Sequence, residues 1–173
     1  MGGTGPGVLR LNRTSPPLLW VPIALAAVIQ AGLLLTVEPE IAFDSASYMA
    51  QAESIASTGA ARNALGEPDT VRTPGYPLFL AVFLVLGAGY PGAIAAQHFL
   101  WICIVAATTW IGYRLTASRT AAVVAGAITA IDLPALQGTT AVLTETWATV
   151  FVCAAAWQAY RAIRSERVES AAL

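Results

Sequence analysis

Lysine is absent from this chain of 173 residues, and all nine of its basic residues are arginine. Charge of either sign is scarce. Only 11% of residues are Asp, Glu, Lys or Arg, against about 25% in an ordinary soluble domain. The net charge of −1 supplies no strong field to recruit DNA or RNA. Histidine occurs once, at His98, and cysteine twice, at Cys103 and Cys153, both inside apolar runs. Such a supply supports neither a disulfide framework nor a Cys/His metal cluster, so both cysteines read as small packing residues. Hydrophobic residues make up 57% of the chain and mean hydropathy is +0.65. A chain of about 150 residues still leaves roughly 30% of its unfolded surface exposed after folding, which is too much to keep so apolar a chain soluble. A soluble enzyme, a nucleic-acid binder and a disordered chain are therefore excluded.

What the chain has instead is long uncharged runs. Residues 14–37 carry no charge, and their core, 18–37, has the ~20 residues needed to cross about 30 Å of hydrocarbon. The run is too long for a signal-peptide core, and no A-x-A-like site follows before Glu38, so it reads as a retained anchor. Met1-Gly2 is followed by Pro6 where a myristoylation motif needs Ser or Thr, so no lipid is implied. Residues 73–113 are also free of formal charge, and GAGYPG at 87–92 divides them. The piece 74–87 is short for a span and suits an interfacial helix, whereas 92–113 spans comfortably. After the polar link 114–119 come 120–134, closed by Leu133-Pro134, and 140–161, followed by a polar helical tail, 162–173.

Arginine placement sets the expected topology. With spans at 18–37, 92–113, 120–134 and 140–161, Arg10, Arg13, Arg114, Arg119, Arg161, Arg164 and Arg167 all lie on the cytoplasmic side. Only Arg62 and Arg72 lie outside. Trp20, Trp110, Tyr113, Trp157 and Tyr160 then fall near inner helix ends, as aromatic belts do. The expected fold is an all-α integral membrane protein with four transmembrane helices and two juxtamembrane helices, 44–58 and 74–87, in the first external loop. It would be multi-pass in the cell membrane, with residues 1–17 and both termini cytoplasmic. The sequon Asn12-Arg13-Thr14 would then be unused.

This topology gathers acid outside. Glu38, Glu40, Asp44, Glu53, Glu67 and Asp69 occupy the loop 38–73, with Asp132 and Glu145 near outer helix ends. From Asp44 the pattern is helical up to Gly59, a favourable C-cap, and Asp44, Tyr48 and Gln51 share a face. Asp44 reads either as an N-cap or as a catalytic carboxylate. Arg72, at the edge of an apolar segment, suits snorkelling to headgroups or holding a phosphate. Glu145, in an apolar run, reads as an intramembrane functional acid or as an anion at a helix N-terminus. His98 reads as a packing residue, a phosphate contact or a lone metal ligand.

The order of these features carries a resemblance. It consists of an anchor, D-x-x-x-Y (Asp44, Tyr48), R-T-P-G-Y-P-L-F-L-A at 72–81, a helix ending in YRL, A-x-D-x-P at 130–134, and T-E-T at 144–146. In this order the chain resembles the N-terminal part of GT-C glycosyltransferases of the protein O-mannosyltransferase, aminoarabinose-transferase and RgtA/B/C/D-like type, over about residues 15–160. The resemblance implies transfer of a sugar, with inversion, from a polyprenyl-phosphate donor to an extracytoplasmic acceptor. It implies catalytic roles for Asp44, as general base, and Glu145, and substrate-binding roles for Tyr48, Arg72 and Tyr76. No cofactor is required by it, and a divalent metal is compatible with the chemistry although no metal ligands are assigned. The implied partners are the donor, the acceptor and the bilayer, with room for a second chain supplying further spans and none for nucleic acid. The alternative left open by the residues is a non-catalytic membrane scaffold or an inactive fragment of such a transferase.

Overall fold

The computed structural model describes residues 17–41 and 43–170. Residues 10–14, with two of the arginines and the sequon, lie outside the described residues. The described chain is helical throughout, with two isolated β-bridges and no strand. A 3-10 turn, Pro17–Trp20, leads into α1, Val21–Thr36. The other helices are α2 (Phe43–Thr58), α3 (Gly75–Val85), α4 (Gly89–Thr116), α5 (Arg119–Ala130), α6 (Leu133–Thr140) and α7 (Glu145–Ser170).

Local chemistry sets most boundaries. Pro22 opens α1, where its missing N–H costs nothing. α2 closes at Gly59, whose φ of +73° is the left-handed conformation that a C-cap needs. The break expected at GAGYPG is present, with Gly87 at φ +75° and Gly89 at φ +61° separating α3 from α4. Ser118 caps α5 by accepting the N–H of Ala121 at 3.2 Å.

Among the described residues, two helices are long and apolar enough to cross a membrane, Leu18–Thr36 and Gly89–Thr116. At about 1.5 Å per residue the second is roughly 42 Å long, more than the ~30 Å hydrocarbon core. α5 and α6 make a third span if counted together, but they are bent by 49° at Ile131–Asp132. Pro134 lacks an N–H and its ring clashes with a helical carbonyl four residues back, so a continuous helix cannot pass it. The expected unbroken span 120–134 is thus two helices meeting at an angle. The expected span 140–161 also differs. Residues 141–144 form a turn, and α7 starts at Glu145. Its apolar stretch is cut short by Gln158 and Arg161, so α7 is not among the helices apolar enough to span on composition.

The packing order is clear from the contacts. Gly126 of α5 faces Thr109 of α4 and Pro22 of α1. Ala26, Trp101, Ile104, Val105 and Ala130 form one core cluster from the same three helices. α1 and α5 run antiparallel to α4, because Pro22 is level with Thr109 while Gln30 meets His98. α7 runs parallel to α4, since Trp147 packs on the cluster containing Ile94 and Trp157 packs on Trp110. One end of the bundle therefore carries the C-terminus of α1 and the N-termini of α4 and α7. α2 and α3 cover that end, joined to it through Tyr48, Tyr76, Leu80, Ala93 and Val142. The other end carries Trp110 tilted against Trp157, which stacks on Tyr160.

A buried polar chain links the two layers. Tyr76 Oη donates to Gln97 Oε1 at 2.6 Å, and Gln97 Nε2 donates to the Ala141 carbonyl at 2.9 Å. Gln30 meets His98 Nδ1, and Thr139 Oγ1 lies 3.1 Å from Gln30 Oε1. The backbone N–H of Glu40 reaches the Thr140 carbonyl at 3.1 Å, and Ser45 Oγ donates to the Val142 carbonyl at 3.0 Å. The non-helical turn after α6 thus has its carbonyls satisfied by protein, the condition under which irregular backbone is tolerated at membrane depth.

Candidate functional site

α2 and the loop before α3 bring Asp44, Tyr48 and Arg72 together at the acidic end of the bundle. Arg72 Nη2 donates to Asp44 Oδ1 in an ion pair, and Arg72 Nη1 donates to Tyr48 Oη at 3.2 Å. The guanidinium carbon lies 5.1 Å from the centroid of the Tyr48 ring, a cation–π contact. The pair is part-exposed, at 28% for Arg72 and 47% for Asp44, while Tyr48 beneath it is only 8% exposed. The hydrogen bond that Arg72 donates to Asp44 is the main influence raising the Arg72 pKa above its ordinary value.

Arg72 is held from its own loop as well. Asp69 Oδ1 accepts the backbone N–H groups of Val71 at 2.9 Å and Arg72 at 3.1 Å. This Asx-type turn orders the backbone just before α3. Upstream, Asn63 Oδ1 accepts from Leu65 and Glu67, and Arg62 Nη1 donates to the Gly66 carbonyl. The loop 59–74 is therefore a built structure that aims Arg72 back at α2.

Each expected site residue has a definite place. Asp44 is in the first turn of α2, one residue inside it, and its carboxylate is turned to Arg72. Tyr76 lies one layer below the pair. It is 2% exposed, meets Tyr48 edge to face at 5.3 Å, and commits its hydroxyl to Gln97. It packs under the site and does not open onto it. Burial is the main cause raising the Tyr76 pKa, followed by the negative charge of Glu145. Glu145 is thus close enough to be felt at the same layer. Glu145 is the first residue of α7 and is exposed, a position where the helix dipole favours an anion. α7's first turn reaches this layer through Trp147, whose Nε1 is 3.9 Å from the Cβ position at Gly75. His98 is buried against Gln30, away from the ion pair. Cys103 and Cys153 are free thiols.

Several groups here were not singled out as site residues from the sequence. Asp69 positions Arg72, and its signal was the Asp three residues before the Arg. Gln97 and Ser45 lock the turn after α6, a long-range pairing with no local signature. Gln51, on the Asp44–Tyr48 face, is fully buried with neither amide atom partnered among the described residues. Among the described residues, no group of three or more His, Cys, Asp or Glu stands in a metal-holding arrangement.

Chemically, the arrangement offers a carboxylate and a fixed cation side by side at the end of an apolar bundle. The first can take a proton, and the second can stabilise an anion. No family model, curated protein or solved structure matches this chain. The protein is an all-α chain with two to three helices able to span a membrane.

Proposed function

We propose that this protein acts in a GT-C-type membrane glycosyltransferase, using a polyprenyl-phosphate sugar as donor and an extracytoplasmic hydroxyl as acceptor. The observation that carries the reading is the half-exposed Asp44–Arg72 pair over Tyr48 at one bundle end. A lipid-anchored donor keeps its phosphate at the membrane boundary, and a cation there meets it without leaving the interface. In this reading the acceptor oxygen attacks the anomeric carbon from the face opposite the phosphate. The bond from that carbon to the phosphate oxygen breaks, and its electron pair stays on the phosphate. The acceptor proton passes to Asp44, as general-base catalysis requires. Arg72 stabilises the charge that develops on the leaving phosphate. In the free protein the two side chains neutralise each other. Donor binding gives Arg72 a phosphate partner and releases the carboxylate of Asp44 toward the acceptor. Glu145 adds a second carboxylate at the same end, and Tyr76 holds Tyr48 from below.

The reading includes a topology of four crossings: α1, α4, the bent α5–α6 pair, and α7. Support for α7 comes from its parallel course beside α4, not from its composition. The ion-pair end faces outward, and both termini are cytoplasmic.

A second reading is favoured by one observation, that Arg72 already occupies Asp44. The pair would then be a staple between α2 and α3 in a non-catalytic scaffold. One experiment separates them. The reconstituted full chain is incubated with a panel of polyprenyl-phosphate hexoses, and sugar transfer and donor binding are measured for wild type and Asp44→Asn. The transferase reading expects transfer by wild type, and loss of transfer with retained donor binding in Asp44→Asn at unchanged helicity. A wild type that neither binds nor turns over any donor, with Asp44→Asn merely less stable, overturns it in favour of the staple.

A further inference from the structure

At the opposite end of the bundle, the gap between α4 and α7 is unfilled. Leu100, Cys103 and Ala107 on α4 face Val150, Cys153 and Ala154 on α7 around a cavity of about 310 Å³ lined almost wholly by carbon. The space exists because the side chains at 107, 153 and 154 are small. Trp110 and Trp157 line it toward that end, with ring centroids 4.4 Å apart. A second gap of about 500 Å³ adjoins it at Ile111, lined by Arg114, Tyr160 and Ile163. Arg114 lies over the Trp110 ring at 4.7 Å and has no carboxylate partner among the described residues. A cavity of about 310 Å³ is smaller than one turn of a helix about 10 Å across, roughly 420 Å³, and it suits an extended hydrocarbon chain. Its charged end sits in the aromatic layer, where lipid headgroups lie.

We infer that this groove binds an anionic phospholipid of the surrounding bilayer, with an acyl chain between α4 and α7 and the phosphate against Arg114. Apolar walls and, at one rim, an arginine with no carboxylate partner among the described residues are complementary to such a molecule along its length. Basic pockets between transmembrane helices are where anionic headgroups are held. The site is independent of the transferase reading, since it lies at the other end of the helices from Asp44.

The test uses the full chain purified in detergent. Dioleoyl phosphatidylglycerol or dioleoyl phosphatidylcholine is added at equal mole fraction, retained lipid is counted by native mass spectrometry, and unfolding temperature is followed by tryptophan fluorescence. Phosphatidylglycerol is expected to be retained and to raise the unfolding temperature more than phosphatidylcholine does. Arg114→Gln should weaken phosphatidylglycerol retention about fivefold, the equivalent of ~1 kcal/mol for one basic residue near a lipid surface. Arg62→Gln, in the far loop, should leave it unchanged. Ala154→Phe, which fills the groove, should lose the retained lipid at unchanged helicity. Equal retention of the two lipids, or wild-type retention by Arg114→Gln, overturns the inference. So does efficient disulfide crosslinking between copies through Cys103 in native membranes, which would place a second chain in the groove.

Discussion

Replacing Gln97 by Leu tests the polar chain that holds the two layers together. Gln97 is 1% exposed, accepts from Tyr76 at 2.6 Å, and donates to the Ala141 carbonyl at 2.9 Å. Leucine conserves volume but removes both partners. The Tyr76 hydroxyl is then left without a partner in a site that is almost fully buried, whereas the Ala141 carbonyl keeps the backbone N–H of Leu143 at 3.0 Å. One orphaned buried group costs about 1–3 kcal/mol and a lost hydrogen bond about 1 kcal/mol, so the substitution should destabilise the fold by about 2–4 kcal/mol. The companion change Tyr76→Phe removes the hydroxyl that Gln97→Leu orphans. In the double variant that part of the penalty disappears, so the two effects should fall short of their sum by about 1–2 kcal/mol. The assay is unfolding in mixed micelles, followed by tryptophan fluorescence, on all four proteins of the cycle. A Gln97→Leu protein within about 0.5 kcal/mol of wild type, or additive effects in the double variant, refutes the reasoning.

Other outcomes follow from the same contacts. A methyl group at Gly126 would fall 2.1 Å from Thr109 Oγ1 and 2.9 Å from Pro22 Cβ, so Gly126→Ala should cost about 1–3 kcal/mol by overpacking. Adding Thr109→Ala should recover part of this in the same unfolding assay. Asp69→Ala removes the acceptor of two backbone N–H groups before α3. It should lower protection of Val71 and Arg72 in amide hydrogen exchange and, on the transferase reading, reduce turnover without abolishing it. The raised pKa of Tyr76 means that the fold favours its neutral form. That stabilisation is complete below the unfolded value of about 10 and is lost as pH rises beyond it. Wild type should therefore lose stability above about pH 10 more steeply than Tyr76→Phe does, as read by unfolding at stepped alkaline pH. With Cys103 and Cys153 replaced by alanine, Glu67→Cys should label with an impermeant maleimide from outside intact cells, and Ser118→Cys only after permeabilisation. The reverse pattern would invert the proposed topology.

Helix existence was legible in the sequence because it rests on local properties. Charge-free runs fixed where α1 and α4 lie, Gly59 marked the end of α2, and GAGYPG separated α3 from α4. Helices expected at 44–58 and 74–87 are present as Phe43–Thr58 and Gly75–Val85. The errors fell where local and tertiary demands compete. Hydropathy alone ran residues 140–161 together, because Ala141, Val142 and Leu143 are as apolar as any helix. In the fold Gln97 takes the Ala141 carbonyl and Ser45 the Val142 carbonyl, while Glu40 takes that of Thr140 just before them, and Glu145 becomes a helix start at the surface.

Composition by itself determined that this protein is helical and suited to a membrane, since too little charge is available to solvate a globule. It also determined that acid collects near one set of helix ends and arginine with aromatics near the other, because those residues punctuate the apolar runs. Only the tertiary structure decided that Arg72 turns back across 28 positions to meet Asp44, that Tyr76 packs beneath the pair, and that an open groove ends at Arg114. Those are facts of how helices cross and loops fold back. The free energy of such contacts depends on distance in space, which no pattern along the chain encodes.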